Sequence, residues 1–591
     1  MPCNMFKIHH QAAMASLFPS SSSTTSTTIP TSITSSFFPK RSQLSIIRNP
    51  KHGVSCKAVN GDKFDRRDVL IGLGGLYYGA TTLGDAMAAP VLAPDFEKCG
   101  RADVPEGVGL TDCCPPVSRK IVDFKPLLSN SRLRVRPAAH LVDDEYVWKY
   151  SKAIELMKAL PDDDQRNFMQ QANVHCAYCE GAYDQVGFPN LELQVHSSWL
   201  FFPFHRYYLY FFERILGNLI DDQTFGLPFW NWDLPAGMQM SRMYSDPNSS
   251  LYNELRNSRH YPPTMVDLGF NGNDVTTTNK AQIQSNLRIM YRQMFSNGKT
   301  PSLFLGGPFR AGDEPYGGSG SVENVPHGPV HVWCGDDKQP NGEDMGTFYS
   351  DARDPIFYAH HSNVDRTSSI WKTIGNRNRK DFNDQDWLNS SFLFYDENAN
   401  LVRVKVRDCL DHRRLGYVYQ DVEIPWLKAK PTPSRKQPSK GGPGIALAAE
   451  INEQKLVSGN ESFPVVLDKT VRVNVERPKK SRSKKEKEEE EEILVIEVEL
   501  KGDLFEKFDV YVNVEDEANI GPDNTEFAGS FVNVPHKHRH GKTLKTCLRL
   551  GLSDLLEDLG AEDDDSVMVI LVPKCVNGNV KIDGIKIEFD N

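Results

Sequence analysis

Two sets of three histidines constrain the fold of this chain more than any other feature. The first set, with the spacing H-x20-H-x8-H, is His175, His196 and His205. The second set, with the spacing H-x3-H-x29-H, is His327, His331 and His361. Imidazole binds copper, zinc, iron and nickel, so one set alone does not identify the metal. The duplicated set with few carboxylates favours two copper ions in one pocket, and the chain must fold so that the rings converge.

The sequence around the second set predicts how its rings are presented. His327 and His331 stand at i and i+4, which places both rings on one face of a helix. Pro326 and Pro329 favour a helix N-terminus or a tight turn at this point instead of a regular helix.

His205 and His361 lie in segments whose sequence predicts helices. His205 follows Pro203 in an aromatic run, and Asp354-Pro355 predicts a helix start before His361. Neighbouring His360 and His361 would point about 100° apart, so only one is expected to face a shared metal. Asp365, one turn later, could accept a hydrogen bond from a histidine ring or hold an arginine.

These segments together resemble a known family. HCAYCEGAY, HSSWLFFPFHRYYLYFFERIL, PHGPVHVW and DPIFYAHHSNVDR are similar to the type-3 copper proteins, specifically the plant polyphenol oxidases (catechol oxidases). The resemblance implies that the first set binds one copper and the second set another, giving two copper ions per chain. It also implies oxidation of ortho-diphenols to ortho-quinones with reduction of O2 to water, so small phenols and O2 are the expected partners.

The resemblance also implies roles for four further residues. Cys179 matches a cysteine that forms a thioether bond to the second histidine of the first site, here His196. Phe348 matches an aromatic gate over the second copper, and Glu323 matches an acidic residue that holds a water. Glu323 could instead cap or anchor a loop. Gly328 stands where an asparagine is associated with monophenol deprotonation, which favours diphenol oxidation alone.

Three alternative functions stay open at this stage. A tyrosinase would add monophenol hydroxylation, and a specialised biosynthetic oxidase would act on one defined phenol. A haemocyanin-like O2-binding protein would use the same copper pair without turnover. Two further features of the sequence, a plastid-targeting amino terminus and a removable C-terminal domain over the copper pocket, favour an enzyme.

The amino terminus predicts the cell compartment to which the protein is delivered. Residues 17–60 are rich in Ser and Thr and contain no acidic residue, which is typical of a chloroplast transit peptide. Arg66-Arg67, a weakly apolar run and Ala86-Met87-Ala88 then form a twin-arginine signal. We therefore expect removal of residues 1–88, delivery to the thylakoid lumen, and no membrane span in the mature chain.

The cysteines are consistent with this address. Adjacent Cys113 and Cys114 cannot easily pair with each other and need different partners. The family resemblance implies the disulfides Cys99–Cys114 and Cys113–Cys176. We expect Cys334, Cys409, Cys547 and Cys575 to be free or buried, and a Cys547–Cys575 bond stays open.

The chain is too long for a single core, and its composition divides it. Residues 89–380 predict a mainly α catalytic core with a four-helix bundle that holds the binuclear copper site. Residues 381–427 resemble the DWL segment of the family, with paired Tyr417 and Tyr419, and should pack on the core. Residues 428–465 predict an exposed linker that processing proteases would cut.

Residues 466–591 contain short alternating strands that predict an all-β C-terminal sandwich. EKFDVYVNV within them resembles the KFDV domain that closes plant polyphenol oxidases. We expect this domain to cover the copper pocket and keep the enzyme latent. The charged block 479–492 predicts a solvated, flexible hairpin loop. His536, His538 and His540 lie among basic residues and predict a solvated basic loop instead of a third metal site.

The formal net charge of -10 favours solubility, and no sustained basic face predicts a nucleic-acid partner. The oligomeric state does not follow from the sequence.

Overall fold

The computed structural model describes residues 89–590 except 127–131, 376–378, 435–456, 459–462, 515, 538–542 and 577–579. The predicted leader (1–88), most of the predicted linker, and His538 and His540 lie outside the described residues.

Helices dominate the first half of the described chain. The α-helices of the described residues are α1 (Asp144–Lys158), α2 (Phe168–Cys179), α3 (Phe201–Leu219), α4 (Asn279–Met294), α5 (Pro301–Leu305), α6 (Gly328–Cys334), α7 (Ile356–Trp371) and α8 (Gln385–Asn389), followed by α9 (Lys484–Glu489) and α10 (Ser553–Leu559) in the carboxy-terminal half. A π-helical turn, Glu323–His327, runs directly into α6.

Local sequence explains where the core helices begin and what they bury. The side chain of Asp143 accepts a hydrogen bond from the amide of Tyr146, and Asn167 caps α2 in the same way. Helix α3 is buried on nearly every side because its aromatic residues pack against neighbouring helices and against residues 391–395. Helices α1, α2, α3 and α7 pack together, so the predicted mainly helical core is confirmed.

The strands of the first half are short. They are β1 (Ile121–Asp123), β2 (Arg134–Arg136), β3 (Asp184–Gln185), β4 (Phe188–Glu192), β5 (Ser391–Tyr395), β6 (Leu401–Lys405) and β7 (Tyr417–Tyr419). Strand β1 pairs with β6, and β2 pairs with β7, both in parallel. Residues 391–419 thereby add strands to the amino-terminal arm and pack on the helical core.

The carboxy-terminal half is a sandwich of two sheets. Its strands are β8 (Val457–Ser458), β9 (Val465–Val466), β10 (Val471–Glu476), β11 (Glu491–Leu500), β12 (Glu506–Val512), β13 (Phe527–Asn533), β14 (Leu544–Gly551), β15 (Ser566–Cys575) and β16 (Lys581–Asp590). Within the described residues, one sheet has the order β13-β12-β15-β10-β8 and the other β14-β11-β16-β9. The predicted β-sandwich is confirmed, and we call it the cover domain.

The charged block 479–492 differs from the prediction of a flexible hairpin loop. Strands β10 and β11 belong to different sheets, so the block connects the two sheets and closes no hairpin. It contains α9, because Ser483 and Glu486 form a reciprocal capping box. The end of the acidic run is buried, where Lys299 of the core lies 2.7 Å from Glu491.

The described start of the predicted linker is held on the cover domain. Thr432 pairs with Asn524 through a short parallel bridge, and Ser434 Oγ donates to Glu526 at 2.6 Å. Lys430 forms an ion pair with Asp558 at 2.8 Å. In the described part of the chain, no helix is both long and apolar enough to cross a membrane.

Candidate copper centre

The first histidine triad converges from two helices and a loop. His175 lies on α2, His205 lies on α3, and His196 lies in the loop between β4 and α3. One ring nitrogen from each lies within 4.8 Å of the others, and each side chain is at most 2 % exposed. The three donor atoms are therefore close enough to bind a single ion away from bulk water.

The second triad converges in the same way. His327 ends the π-helical turn, His331 lies one turn later on α6, and His361 lies on α7. The turn contains the extended residue Val325 before Pro326, which explains why no regular helix runs through this segment. Ring nitrogens of these three residues and of His360 lie within 4.8 Å of one another.

Backbone carbonyls and one side-chain amide hold most of these rings from behind. The Nδ1 atoms of His205, His327 and His331 donate to the carbonyls of Phe201, Glu323 and Met345 at 2.8 to 3.0 Å. His175 donates to the carbonyl of Phe348 at 3.1 Å, and His196 donates to Oε1 of Gln194 at 3.2 Å. With the proton on Nδ1, each Nε2 keeps a free lone pair that points into the pocket.

The residues present fit a metal. Among the six proposed ligands, four have a buried Nε2 atom without a hydrogen-bond partner: His175, His196, His205 and His327. The Nε2 atoms of His331 and His361 lie 3.1 Å apart. Metal–imidazole bonds of about 2 Å place two nitrogens on one ion about 3 Å apart, so this separation suits two ligands of one ion.

His360 is close to the second triad but lacks a free donor atom. The indole Nε1 of Trp232 donates to its Nδ1 at 3.2 Å. The neutral ring therefore carries its proton on Nε2 and has no lone pair left for a metal. Of the neighbouring pair, His361 is the better ligand.

The two triads face each other across one buried space. The rings of His205 and His361 stack at 4.3 Å, and those of His196 and His327 lie 6.0 Å apart. Burial, together with the neighbouring histidines, lowers the pKa of His196, His205, His327 and His361 well below the usual range. The rings are therefore neutral at physiological pH, which is the form that binds metals.

Asp351 is a buried residue of the site that sequence reasoning missed. Its Oδ1 lies 2.9 Å from Nδ1 of His175, and its Oδ2 lies 3.7 Å from Nδ1 of His331. Burial raises the pKa of Asp351 to about 6, and His175 opposes this rise. The carboxylate thus stands behind one ligand of each triad. An acidic residue shortly before the predicted helix of His361 was the available signal.

The ring of Phe348 contacts the first triad. Its ring stacks on His196 of the first triad at a centroid distance of 4.1 Å. Within the described residues, its close ring contacts include no histidine of the second triad. Its role as a gate over the second copper stays a prediction. Hydrogen bonds at its own carbonyl from His175 and at its amide to Pro535 turn the ring toward the first triad.

Glu323 is fully buried beside the second triad. Its side chain accepts hydrogen bonds from the amides of Ser197 at 2.5 Å and Gly320 at 3.2 Å. Burial raises the pKa of Glu323 to about 8, and these two amides oppose the rise. The carboxyl group anchors two loops, and it can also exchange a proton near neutral pH.

Asp365 holds an arginine, which is one of its two expected roles. Its carboxylate accepts from Nε of Arg206 at 2.6 Å and from the hydroxyls of Tyr417 and Tyr419 at 2.6 and 2.5 Å. Burial alone would raise the pKa of Asp365, but Arg206, Arg136 and the two hydroxyls lower it to about 2. The paired tyrosines thereby tie residues 381–427 to α7, the helix of His361.

The structure contains both disulfides that the family resemblance implied, together with free thiols. The structure contains the disulfides Cys99–Cys114 and Cys113–Cys176, the second of which ties the amino-terminal arm next to His175. Cys334 and Cys409 are buried free thiols, and half-buried Cys547 is also free, so it forms no bond with Cys575.

Cys179 is a buried thiol, and burial raises its pKa well above the usual value. Gln194 links its surroundings to the second histidine of the first triad. The Nε2 of Gln194 donates to the carbonyl of Cys179 at 2.8 Å, while its Oε1 accepts from His196.

The cover domain reaches the copper pocket through β13 and the residues that follow it. A Cβ atom at Gly328 would lie 3.0 Å from Cγ1 of Val532 and 3.2 Å from Cγ2 of Val534. The ring of His536 stacks on Phe348 at 5.1 Å and is buried, which corrects the expectation of a solvated loop at this residue. This burial was not predicted from the sequence, because the basic residues around His536 are typical of a solvated loop.

Asn324 fastens the same strand to the core. Its amide group donates to the carbonyl of Ser530 at 2.5 Å and accepts from the amide of Val532 at 2.9 Å. Asn324 directly follows Glu323, so a single turn of the core contacts both the second triad and the cover domain.

Comparisons with known proteins agree with this geometry. The profile of the common central domain of tyrosinase matches residues 165–374, which include both triads. The polyphenol oxidase middle domain matches residues 381–432, and the chloroplastic polyphenol oxidase C-terminal domain matches residues 463–589. The central domain defines a tyrosinase-type oxidoreductase.

Similar full-length proteins narrow the class. The chloroplastic polyphenol oxidase of Malus domestica is 59 % identical over 588 residues, covering 96 % of this chain and 98 % of that protein. The solved structure of latent apple tyrosinase is 62 % identical, with a TM-score of 0.76, covering 80 % of this chain and all of that one. Latent aurone synthase is 40 % identical, with a TM-score of 0.78, covering 85 % and 99 %. The chain belongs to the plant polyphenol oxidase family, as its motifs predicted.

Proposed function

We propose that this protein is a catechol oxidase that binds two copper ions, one in each triad, and oxidises ortho-diphenols to ortho-quinones while O2 is reduced to water. The observation that carries the proposal is the pair of buried triads whose Nε2 atoms converge. Copper supplies the electron transfer between phenol and O2 when it is bound. His175, His196 and His205 would hold one ion, and His327, His331 and His361 would hold the other.

The chain itself contributes orientation, dryness and proton handling. Carbonyl acceptors keep the ring protons on Nδ1, so each Nε2 is available without a tautomer change. The phenylalanine rings of Phe201, Phe348 and Phe357 contact the histidines and exclude water from the pocket. Burial raises the pKa of Glu323 to about 8, so the ionised fraction present near neutral pH is the form that would accept a phenolic proton through a water molecule.

A thioether between Cys179 and His196 is part of this proposal. His196 is the one ligand of its triad that stands on a loop, so a covalent bond would hold its ring as a helix holds the others. Gln194 keeps the two residues close, as described above. Mass spectrometry of the digested protein would detect the bond as cross-linked peptides that lack two hydrogen atoms, and separate peptides at full mass would exclude it.

Diphenol oxidation without monophenol hydroxylation is the favoured specificity. Gly328 has no side chain to orient a water molecule beside His327, which supports this choice. Tyrosinase activity and a specialised biosynthetic oxidation are the alternatives, since similar structures include a latent tyrosinase and a latent aurone synthase. Oxygen uptake with a monophenol and with a chalcone, compared with catechol, separates the three.

The cover domain would keep the enzyme latent. Val532 and Val534 occupy the space over Gly328, and all six histidine side chains are at most 2 % exposed with the cover domain in place. This contact would hinder the approach of a phenol to the triads until the cover domain moves or is cut away. Proteolysis between the core and the cover domain, in the predicted linker 428–465, would open the pocket.

The deciding experiment is oxygen uptake by the copper-loaded chain from residue 89, with catechol, before and after limited proteolysis. We expect little uptake before cleavage and a large rise after it. A metal-depleted sample is the matched control. No uptake in either state at full copper content would refute the oxidase and favour an O2-binding protein.

We also propose that the mature chain works in the thylakoid lumen. The composition of residues 17–60, the twin arginine and the Ala86-Met87-Ala88 signal support this address, and the similar Malus protein is named chloroplastic. Import of the full chain into isolated chloroplasts, followed by fractionation, tests it. Recovery of the processed chain from the stroma alone would contradict the lumenal assignment.

A further inference from the structure

The loop between α6 and α7 contacts one ligand ring of each triad. The carbonyl of Met345 accepts a hydrogen bond from Nδ1 of His331 at 3.0 Å. The carbonyl of Phe348 accepts one from Nδ1 of His175 at 3.1 Å. Asp351 follows in the same loop, at the start of a short 3-10 turn. Its side chain therefore lies next to two rings that the loop already orients.

The two oxygens of the Asp351 carboxylate divide between the triads. Oδ1 lies 2.9 Å from Nδ1 of His175 in the first triad, and Oδ2 lies 3.7 Å from Nδ1 of His331 in the second. In the described part of the chain, no other carboxylate oxygen lies within 4.0 Å of a ring nitrogen of a proposed ligand. Asp351 is therefore the acidic side chain that stands closest to the ligands, and it is fully buried.

This carboxylate has no paired cation. Among the residues that the structure describes, no lysine or arginine nitrogen lies within 4.0 Å of Asp351. Neither oxygen has a hydrogen-bond partner there, because the Nδ1 protons of His175 and His331 point to the loop carbonyls. A buried carboxylate without a paired cation is unfavourable, and a metal ion bound by the histidines would supply the missing positive charge.

The charge of the proposed copper centre indicates what the carboxylate does. Six neutral imidazoles bring no charge, so a pair of Cu(II) ions keeps four positive charges and a pair of Cu(I) ions keeps two. A negative charge in a dry pocket stabilises the more highly charged pair to a greater extent. A carboxylate behind a histidine ligand also makes the ring a stronger donor and fixes its orientation. Both effects favour oxidised copper.

We propose that Asp351 is a positioning residue of the copper centre, which stabilises the bound copper, and its oxidised state most, through one ligand of each triad. The proposal rests on the proposed function, because both triads must bind copper. It does not require turnover of a phenol. Since one carboxylate acts on a ligand from each triad, its removal should weaken the binding of both ions.

The test is Asp351→Asn in the copper-loaded chain from residue 89, which removes the charge and keeps the size of the side chain. Potentiometric titration should show a higher midpoint reduction potential of the bound copper, by about 30 mV or more, which is a tenfold change in a two-electron equilibrium. Competition with EDTA, followed by elemental analysis, should show an affinity for Cu(II) that is lower by about ten- to a hundredfold. Asp351→Ala should give the same two shifts and excludes a new hydrogen bond from the asparagine amide as their cause.

Asp344→Asn is the matched control, because Asp344 is a buried carboxyl of the same loop that accepts from Asn253 at 2.8 Å. This variant should leave the potential unchanged. A purely structural role of Asp351 predicts a lower midpoint of thermal unfolding for the metal-free Asp351→Asn chain. We expect that midpoint to stay the same or to rise, because the substitution removes an unpaired buried charge.

The possible outcomes separate this proposal from the proposed function. Unchanged potential and unchanged affinity in Asp351→Asn at full copper content would overturn the role of Asp351, and so would an equal shift in Asp344→Asn. Absence of copper from the unsubstituted chain would overturn the copper centre and this proposal together. Copper binding without O2 uptake in the presence of catechol would refute the oxidase, while the potentials would still decide the role of Asp351.

Discussion

Substitution of Gly328 by alanine should convert a latent enzyme into a partly active one. A methyl group at this residue would lie 3.0 Å from Val532 and 3.2 Å from Val534, whereas carbon atoms in contact prefer about 3.5 to 4.0 Å. Gly328 has helical backbone angles, φ -56° and ψ -52°, so alanine fits the backbone of α6 without strain. The substitution therefore acts on the contact with the cover domain.

The size of the effect follows from this overlap. Overpacking of a close contact costs about 1–3 kcal/mol, and valine side chains can yield part of the distance, so we take about 1–2 kcal/mol. That free energy raises the fraction of molecules with a displaced cover domain by a factor of about 5–30.

The assay is oxygen uptake with catechol, expressed as the rate of the intact chain divided by the rate after limited proteolysis. Effects of the substitution on the copper centre itself cancel in this ratio. Gly521→Ala is the matched control, because a Cβ atom at Gly521 meets nothing within 4 Å and the residue also belongs to the cover domain. If Gly328→Ala, folded and loaded with copper, stays as latent as the unsubstituted chain, Val532 and Val534 do not hold the cover domain closed.

Three further outcomes test other parts of the structure. Asn324→Ala removes both hydrogen bonds to β13 and should raise the same intact-to-cleaved ratio, since each unpaired buried group costs about 1–3 kcal/mol. An unchanged ratio would show that these hydrogen bonds do not hold the cover domain closed. His205→Gln should lower the bound copper by about half in elemental analysis, and full copper content would exclude His205 as a ligand. Asp365→Asn leaves Arg206 without its charge partner and should lower the free energy of unfolding by about 3–5 kcal/mol in urea. The pKa of Asp365 is lowered to about 2, so its stabilising contribution is present above about pH 4 and is lost as the pH falls through 2. The Asp365→Asn variant should lack this acid-dependent loss of stability. Equal acid sensitivity of the variant and the unsubstituted chain would refute the stabilising role of the Asp365 carboxylate.

The sequence was most informative where a motif carries its own geometry. The apolar spacing around His205 and the Asp354-Pro355 helix start placed His205 and His361 on helices, and the adjacent prolines indicated an irregular start before His331. The strand pattern of residues 466–591 predicted the sandwich because alternation of apolar and polar residues is a local signal. The fold class and the convergence of the triads could therefore be predicted from the sequence.

Contacts between distant segments could not be predicted in this way. The direction of the Phe348 ring depends on a hydrogen bond to Pro535, which lies nearly two hundred residues later. The burial of His536 and the hydrogen bonds of Asn324 to β13 depend on how the cover domain is placed on the core. No local sequence pattern predicts that placement. Asp351 was missed because its partners, His175 and His331, come from separate helices.

The carbonyl groups behind the histidine rings can keep the ligands oriented while the surrounding side chains change among related proteins. Four of the five ring hydrogen bonds described for Nδ1 end on main-chain oxygen, which every amino acid supplies. Mutations at those acceptor positions can change the side chains around the centre without removing the groups that orient its ligands. His196 is the exception, because its acceptor is the side chain of Gln194. Mutations at the surface and in the pocket can therefore change the substrate preference, while the main-chain hydrogen bonds keep the orientation of the histidine ligands.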